Sequence, residues 1–190
     1  MIKRTADILL SLFVLLLLWP FYLIIALLIY IDSSGPVFFL QERVGQNGKR
    51  FQIIKFRTMY QDAEKSGPQL SNDMDKRVTH IGRYLRRYRI DELPQFINIL
   101  KGDMSLVGPR PERDYFIQQL TPLTTDFTKL LEVKPGLTSW GQVKYGYAST
   151  IEQIAERMQY DLYYIEHYSL SFDLKVLLHT IRIVLSGKGV

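Results

Sequence analysis

Cysteine is absent from the 190 residues, and the three histidines stand far apart. Without thiols the chain forms neither disulfides nor thiolate metal sites. His80, His167 and His179 lack the short spacing of metal-binding pairs, so no role is assigned to them. An internal repeat and a low-complexity tract are also missing, which excludes a repeat architecture.

Charge is missing altogether from 24 consecutive residues, 8–31. An apolar run longer than about 18 residues is typical of a membrane-embedded segment. A straight helix of this length, at ~1.5 Å per residue, would cross a ~30 Å hydrocarbon core. A cleaved signal peptide is not expected, because the run is too long and lacks a small-residue cleavage site.

Pro20 lies near the middle of this run and provides a bend site, because proline removes one helical hydrogen bond. Lys3 and Arg4 precede the run, and Arg43 and Lys49 follow it. A spanning helix would translocate one cationic flank, against the positive-inside tendency, whereas a re-entrant helix keeps both flanks in the cytoplasm. Proline is also tolerated in kinked spanning helices, so the residues alone leave both topologies open.

The net charge of +5 and the pI of 9.3 suit a surface that faces anionic headgroups or a phosphorylated substrate. Nucleic acid is a poorer match. The arginines of the predicted helix 79–89 come without aromatic stacking pairs or a recognised nucleic-acid-binding fold. We therefore expect no nucleic-acid partner.

Hydrophobic periodicity predicts an α/β (α+β) fold, rich in helices and with a small β-hairpin or sheet. Polar residues 60–76 are expected to form a mobile loop over a site. The chain is expected to have two domains, the membrane-embedded residues 1–34 and the cytoplasmic residues 35–190. The predicted strands are 37–44 and 51–59, with a turn at Asn47-Gly48, and the predicted helices are 79–89, 91–102, one that opens at Ser149 or Thr150, and an amphipathic one at 172–185. In the helix that opens at Ser149 or Thr150, Glu152 and Gln153 are placed for a capping box. Its apolar stripe consists of Ile151, Ile154, Ala155, Met158, Leu162 and Ile165.

The amphipathic C-terminal segment 172–185 has an apolar face and a few basic residues. Such a segment lies in the membrane interface or packs on the domain, and the sequence favours neither.

Further upstream, the period of two places Lys55 and Arg57 on one face of the second strand. The pair is suited to grip a phosphate, although a solvated strand face has the same pattern.

Two carboxylates, Asp91 and Glu92, stand where the second predicted helix of residues 35–190 begins. Pro94 is allowed in a first helical turn, which places Asp91 near the N-cap. The positive end of the helix dipole is expected to lower the pKa of Asp91 and keep it ionised. Adjacent carboxylates also bind Mg²⁺. The alternative is a capping aspartate followed by a first-turn glutamate.

Arg110 is enclosed by Pro109 and Pro111, which stiffen the backbone on both sides. A pre-ordered guanidinium loses little entropy when it grips an anion with both nitrogens, although a structural turn has the same sequence.

Arg157 and Asp161 are four residues apart on the predicted helix that opens at Ser149 or Thr150. They form either an exposed ion pair or a contact near the site.

These motifs resemble those of a known family, the bacterial sugar transferases of the small monotopic polyprenol-phosphate phosphoglycosyl transferase type. The resemblance runs from about Lys3 to the C-terminus in the family's order, so it is more specific than any single motif. The matching segments are 55–59, 91–95, 101–105, 107–112, 134–138, 142–143 and 161–164, with Arg86, Asn98 and Trp140.

The resemblance implies a bacterial inner-membrane enzyme, with its catalytic domain on the cytoplasmic face, that moves a phosphosugar from a UDP-sugar to polyprenyl phosphate and releases UMP. Asp91 would be the nucleophile that forms a covalent aspartyl intermediate, and Glu92 its dyad partner. Mg²⁺ would be held at this dyad and neutralise diphosphate charge. The candidate substrate-binding residues are Lys55, Arg57, Arg86, Arg110, Pro111, Glu112, Gln142, Lys144, Arg157 and Asp161.

The family's proline-broken helix favours a re-entrant rather than a spanning segment, and a homodimer is possible. The product would start a lipid-linked glycan, such as an exopolysaccharide, O-antigen, capsule or glycoprotein. Two departures stand out: Trp19 replaces a serine before Pro20, and an arginine is missing near Lys144, which is its candidate substitute. A non-enzymatic membrane adaptor that binds anionic lipid or a glycan-assembly partner is the alternative.

Overall fold

The computed structural model describes residues 2–65, 67–72, 75–124, 126–187 and 189. Three residues of the predicted loop 60–76, namely Ser66, Asp73 and Met74, lie outside this description. The helices are α1 (Ile2–Asp32), α2 (His80–Arg87), α3 (Gln95–Lys101), α4 (Asp114–Leu120), α5 (Phe127–Leu130), α6 (Trp140–Lys144), α7 (Ile151–Glu166) and α8 (Leu170–Leu185). The strands are β1 (Phe38–Val44), β2 (Arg50–Phe56), β3 (Ser105–Val107) and β4 (Gly136–Thr138).

The predicted hairpin is confirmed, with β1 and β2 antiparallel in the register Phe38↔Phe56 to Val44↔Arg50. Its turn contains Asn47 at φ 56° and Gly48 at φ 73°, a left-handed conformation that these two residue types tolerate best. Strand β2 ends at Phe56, three residues before the predicted end, and Arg57 therefore lies beyond the strand.

A single buried amide fixes the hairpin to α3. Asn98 accepts a hydrogen bond from the backbone N–H of Ile54 at 3.0 Å and donates one to the carbonyl of Gln52 at 2.7 Å. Both polar ends of the amide are thus satisfied in a place without water. The bonds hold β2, with Lys55 at its end, against the helix that follows the Asp91-Glu92 turn.

A second sheet, which the sequence patterns did not predict, consists of the parallel strands β3 and β4. Each strand has three residues, too few to show an alternating pattern. Gly108 follows β3 and Gly136 is the first residue of β4, and the two approach so closely that a Cβ at Gly136 would collide with the backbone of Gly108. This pair positions the segment 108–112 that carries Arg110.

The apolar stripe of α7 is buried as predicted. Thr150 caps the helix by accepting a hydrogen bond from the N–H of Gln153, and the side chain of Gln153 accepts one from the N–H of Ser149. The side chain of Gln153 thus bonds the residue before the cap rather than the N–H of Thr150, so the arrangement is a variant of the predicted capping box. Ile154 and Met158 pack in one hydrophobic cluster with residues of α4 and α5, and this cluster joins α7 to those two helices.

The N-terminal end of α1 is held to the domain by polar contacts. The Lys3 ammonium lies 2.6 Å from a carboxylate oxygen of Asp173 on α8. Asp7 is buried and accepts hydrogen bonds from the hydroxyl of Ser105 at 2.8 Å and from the N–H of Leu106 at 3.1 Å. A buried carboxylate with paired oxygens is costly to separate from its donors.

The C-terminal end of α1 packs on the same domain. Ile25 and Ile29 are buried in a cluster with Phe56 and residues of α2. The hydroxyl of Tyr22 donates to the carbonyl of Leu93 at 3.1 Å. Helix α1 is continuous through Pro20 and is not broken there as expected. Proline removes one helical hydrogen bond and leaves the others in place.

Contact with the domain along α1 bears on its place in a membrane. By length and composition α1 could cross a bilayer. However, a polar domain that touches residues from both ends of the helix would have to enter the hydrocarbon as well, at prohibitive cost. The contacts at both ends of α1 therefore favour the predicted re-entrant topology over a spanning helix, and this topology stays a prediction. The outward face is apolar, with Leu9, Leu12, Phe13, Leu16, Leu17, Leu23, Ile24, Leu27 and Leu28 exposed.

Helix α8 packs on the domain, which was one of the two predicted alternatives. Its Val176 is fully buried in the main cluster. Its opposite face is also apolar, with a stripe at the helical spacing of three and four residues. That exposed stripe is formed by Leu170, Leu174, Leu178, Ile181 and Leu185.

The topology of α1 can be tested because the chain has no cysteine of its own. Ile2→Cys and Ser34→Cys place one thiol at each exposed end of the helix. In sealed vesicles of known orientation, an impermeant maleimide is expected to label both variants from the side that carries residues 35–190. Labelling of the two thiols from opposite sides would show that α1 spans the bilayer.

Candidate active site

Asp91 and Glu92 lie in a short 3₁₀ turn, Ile90–Glu92, between α2 and α3. The predicted N-cap position of Asp91 is wrong, because α3 begins only at Gln95 with Pro94 as its cap residue. Arg89, just before the turn, has φ 52° in the left-handed region. A non-glycine residue held there is strained, and such strain is concentrated at functional sites.

Glu92 is held by cations from three parts of the chain. Its Oε1 is 2.8 Å from Lys55 Nζ and 3.3 Å from Arg110 Nη2, and its Oε2 is 3.5 Å from Arg89 Nη1. Burial alone would raise the pKa of Glu92, but these cations outweigh it and lower the pKa. Glu92 is therefore ionised and fixed in place by its partners.

Asp91 is equally buried, at 7% exposure, but its environment differs. Within the described chain no side-chain hydrogen bond or ion pair engages its carboxylate. Burial raises its pKa, helped by the charge of Glu92 and opposed by Lys55, Arg86 and Arg89. The predicted lowering of this pKa is wrong, because desolvation outweighs the nearby cations. Asp91 is thus an unpaired carboxyl group that lines a cavity.

The segment that carries Arg110 is fixed by Glu112. One carboxylate oxygen of Glu112 accepts a hydrogen bond from Arg157 Nη2, and the other lies 3.5 Å from Arg43 Nη1. Arg43 also donates to the carbonyl of Pro111 at 3.0 Å. Glu112 and Pro111, both predicted to bind substrate, are engaged in holding the loop in position.

Asp161 and Arg157 do not form the exposed pair that was one prediction for them, because both are buried and Arg157 pairs with Glu112. Asp161 accepts hydrogen bonds from the N–H of Gly141 at 2.7 Å and of Arg110 at 3.5 Å. Burial raises the pKa of Asp161 to about 6 against these donors. Asp161 therefore joins α7 to the Arg110 segment and to α6.

The cavity beside Asp91 has a volume of about 290 Å³. Among the described residues that line it, eight are cationic and four are acidic, a formal excess of four positive charges. Such a cavity concentrates anions. The lining cations are Arg43, Lys55, Arg57, Arg86, Arg89, Arg110, Arg113 and Arg157.

Several predicted site residues reach the cavity and others do not. Arg86 lines it and donates to the hydroxyl of Ser71 at 2.9 Å. Gln142 lines it with a buried side-chain oxygen that has no hydrogen-bond partner. Arg57 lines it but donates to the carbonyl of Ser33, at the exit from α1, at 2.6 Å. Lys144 is exposed, and its ammonium lies 4.8 Å from the centre of the Trp140 ring instead.

Sequence reasoning did not assign Arg43, Arg89 and Arg113 to the site. The period of two puts Arg43 on the same face of β1 as Gln41, but nothing in the strand pattern distinguishes a cavity from solvent. Arg89 follows a helix rich in arginine, so its sequence context does not single it out. Arg113 binds Glu64 with both terminal nitrogens, at 2.7 and 3.1 Å, a long-range contact that no local motif indicates.

A divalent metal at this site would find few protein ligands. The described residues contain no group of three acidic or histidine side chains that could hold an ion. Glu92 already pairs with three cations, which leaves Asp91 as the available carboxylate. Mg²⁺ commonly binds through one or two carboxylates and substrate phosphates, so the donor set fits an ion carried by a diphosphate.

A sequence model of the bacterial sugar transferase family matches residues 1–187. This chain belongs to the bacterial sugar transferase family. The chain is similar to a UDP-N-acetylgalactosamine-undecaprenyl-phosphate N-acetylgalactosaminephosphotransferase of Aeromonas hydrophila, with 45% identity over 188 residues, which cover 99% of this chain and 44% of that protein.

Two further sugar transferases are similar, and both are named UDP-glucose:undecaprenyl-phosphate glucose-1-phosphate transferase. The protein of Escherichia coli is 41% identical over 95% of this chain and 39% of its own length. The protein of Caulobacter vibrioides is 39% identical over 97% of this chain and 70% of its own length. The chain thus spans less than half the length of the first two relatives.

The raised pKa of Asp161 predicts a pH effect on stability. A carboxyl whose pKa rises from 3.8 to about 6 on folding favours the folded state when protonated, so stability falls as pH rises between these values. The slope is ~1.4 kcal/mol per pH unit. Asp161→Asn keeps an acceptor for Gly141 but no longer titrates. When the pH is lowered from 7 to 5, the Tm of the wild type should therefore rise relative to that of the variant. Below pH 6 the expected rise is ~3–5 °C per pH unit.

Thermal unfolding of both proteins across this range measures the difference directly. Asp91 and all other titrating groups are common to the two proteins, so they cancel in the comparison. Parallel Tm curves from pH 5 to 8 would contradict the assigned pKa of Asp161.

Proposed function

We propose that this chain is a phosphoglycosyl transferase that moves a phosphosugar from a UDP-sugar to a polyprenyl phosphate and releases UMP. The observation that carries the proposal is the unpaired, buried carboxyl of Asp91 in a cavity with excess positive charge. Family membership supports it, as do the activities for which the relatives are named. The product would begin a lipid-linked glycan.

Two displacements at phosphorus account for the reaction. In the first, an Asp91 carboxylate oxygen attacks the β-phosphorus of the UDP-sugar. The bond from that phosphorus to the bridging oxygen breaks, and UMP leaves with its electron pair. In the second, a phosphate oxygen of the prenyl acceptor attacks the same phosphorus, and the Asp91–phosphorus bond breaks to give prenyl-diphosphate-sugar and free carboxylate. A covalent intermediate splits one difficult transfer into two easier ones.

The unpaired state of Asp91 suits a nucleophile, whereas the ion pairs of Glu92 suit a positioning residue. A carboxylate that already pairs with cations is a weaker nucleophile, because its negative charge is stabilised. Glu92 instead orients Lys55 and Arg110 towards the cavity. These two cations and Arg86 would contact the phosphates of the donor.

Mg²⁺ belongs to this proposal as an ion that the phosphates of the donor would carry into the cavity, which leaves the Asp91 carboxylate free to attack. When bound, it would neutralise diphosphate charge and favour the departure of UMP. The protein contributes the cationic lining of the cavity and the burial of Asp91, which strengthens the charge interactions around this carboxyl.

The proposed location is the cytoplasmic face of the bacterial inner membrane. The exposed apolar faces of α1 and α8 would lie in the bilayer, so that the cavity opens where an acceptor phosphate meets a cytosolic donor. The alternative function, a non-enzymatic adaptor, does not require a buried, unpaired carboxyl. A homodimer stays a prediction from the resemblance.

Asp91→Asn is expected to lower UMP release by ~10³-fold or more in the presence of UDP-sugar and polyprenyl phosphate, because an amide is not a nucleophile here. With donor alone, the wild type should gain the mass of one phosphosugar and the variant should not. Asp126→Asn, which alters an exposed carboxylate outside the cavity, is the matched control and should keep full activity.

A panel of UDP-sugars that includes UDP-glucose and UDP-N-acetylgalactosamine is the appropriate set of donors, because these sugars appear in the names of the relatives. Unchanged UMP release by Asp91→Asn with the preferred donor would refute the assigned nucleophile. Absence of UMP release by the wild type with every donor would favour the adaptor.

Chelation of divalent cations with EDTA is expected to stop UMP release, and added Mg²⁺ should restore it. The Tm without donor should not change, because the described residues offer no acidic cluster for a structural ion. UMP release at full rate in EDTA would remove the metal from the proposal. A fall in Tm with EDTA would instead indicate an ion bound by the protein alone.

A further inference from the structure

Three apolar residues open strand β1, shortly after the chain leaves α1. Phe38, Phe39 and Leu40 are 47%, 40% and 57% exposed. Exposed apolar side chains grouped in this way mark a surface that contacts lipid or an apolar ligand. The three side chains face different surroundings, and this difference separates a ligand contact from a bilayer contact.

Phe39 faces the cavity. Side chains alternate along a strand, so Phe39 shares one face of β1 with Gln41 and Arg43, and all three line the cavity. In the hairpin register Phe39 lies opposite Lys55, whose ammonium is 2.8 Å from Glu92. Phe39 is therefore an apolar side chain one cross-strand step from the charged centre of the site.

Leu40 points to the other face of β1 and is absent from the described lining of the cavity. Phe38 shares that face of the strand but still reaches the cavity lining, where its ring stacks on Phe56 with centroids 5.4 Å apart. Phe56 in turn lies 5.5 Å from the ring of Tyr22 on α1. The rings of Tyr22, Phe56 and Phe38 thus form a continuous series of contacts from α1 to the edge of the cavity where Phe39 is exposed.

We propose that Phe39 binds the isoprene units next to the phosphate of the prenyl acceptor, an inference that rests on the proposed function. The acceptor is a phosphate joined to an apolar chain. At this edge of the cavity, cations suited to the phosphate lie beside an apolar surface suited to the chain. The donor has a phosphate but no apolar chain. Phe39 therefore serves the second displacement only, and the chain passes over β1 towards the apolar face of α1.

The two displacements can be measured separately. For Phe39→Ala, UMP release from donor alone in a single turnover should stay within twofold of the wild type. The KM for polyprenyl phosphate should rise about tenfold, which is the loss expected for an aromatic contact of this size. Leu40→Ala is the matched control, since it removes a neighbouring and more exposed side chain that faces away from the cavity. Its KM should stay within twofold.

A short-chain, water-soluble prenyl phosphate separates a specific contact from a general effect of lipid. Phe39 is proposed to touch only the proximal isoprene units, so Phe39→Ala should lower kcat/KM by about the same factor for the short and the long acceptor. An effect confined to the long acceptor in membranes would overturn the proposal in favour of bilayer anchoring. Equal losses in Phe39→Ala and Leu40→Ala would do the same.

Two further results would also overturn it: an unchanged KM in Phe39→Ala, or a loss of donor-only UMP release in that variant, which would give Phe39 a role in the first displacement. Phe39→Leu keeps an apolar side chain and should recover most of the acceptor affinity even if the alanine variant folds poorly. Failure of the proposed function itself is distinct, because the wild type would then release no UMP from donor alone.

Discussion

The carboxylate of Glu92 joins three separate parts of the chain. Lys55 comes from the end of β2, Arg110 from the loop after β3, and Arg89 from the turn itself. A buried carboxylate is stable only with such partners, so its burial requires these parts to meet. Because the cations approach Glu92, the adjacent Asp91 stays unpaired. The different environments of these two neighbouring acidic residues thus follow from how Glu92 is neutralised.

Two other buried carboxylates repeat this arrangement at the edge of the site. Glu112 lies between Arg43 and Arg157, and Asp161 accepts backbone N–H groups of Gly141 and Arg110. Their effect is to fix the direction of the Arg110 segment. Ion pairs of this kind add little net stability, but removal of one partner leaves an uncompensated charge, which gives the site its rigidity.

The sequence predicted local structure well and long-range contacts poorly. The hairpin, the cap of α7 and the buried stripe of that helix follow from periods of two and 3.6 residues and from turn chemistry, which are local properties. The β3–β4 pair was not predicted, because strands of three residues are too short to show an alternating pattern. The pKa of Asp91 was predicted with the wrong sign, because the pattern shows nearby cations but not the desolvation that outweighs them.

Site residues were predicted in the same uneven way. Asp91, Glu92 and Arg110 stand in motifs with stiff or unusual backbones, and the structure brings all three to one cavity. Arg43 and Arg113 reach it through the register of a hairpin and the packing of a loop, which no spacing encodes. Lys144 was chosen to replace an arginine on sequence position alone, and the ring of Trp140 holds it elsewhere.

Tyr22 connects the apolar helix directly to the chemistry, because its hydroxyl bonds the carbonyl of Leu93, two residues after Asp91. Under the proposed function, the depth of helix α1 in the lipid would therefore set the height of the Asp91 carboxyl above the acyl chains. An unrelated anchor in its place would keep the protein at the membrane but lose this vertical alignment.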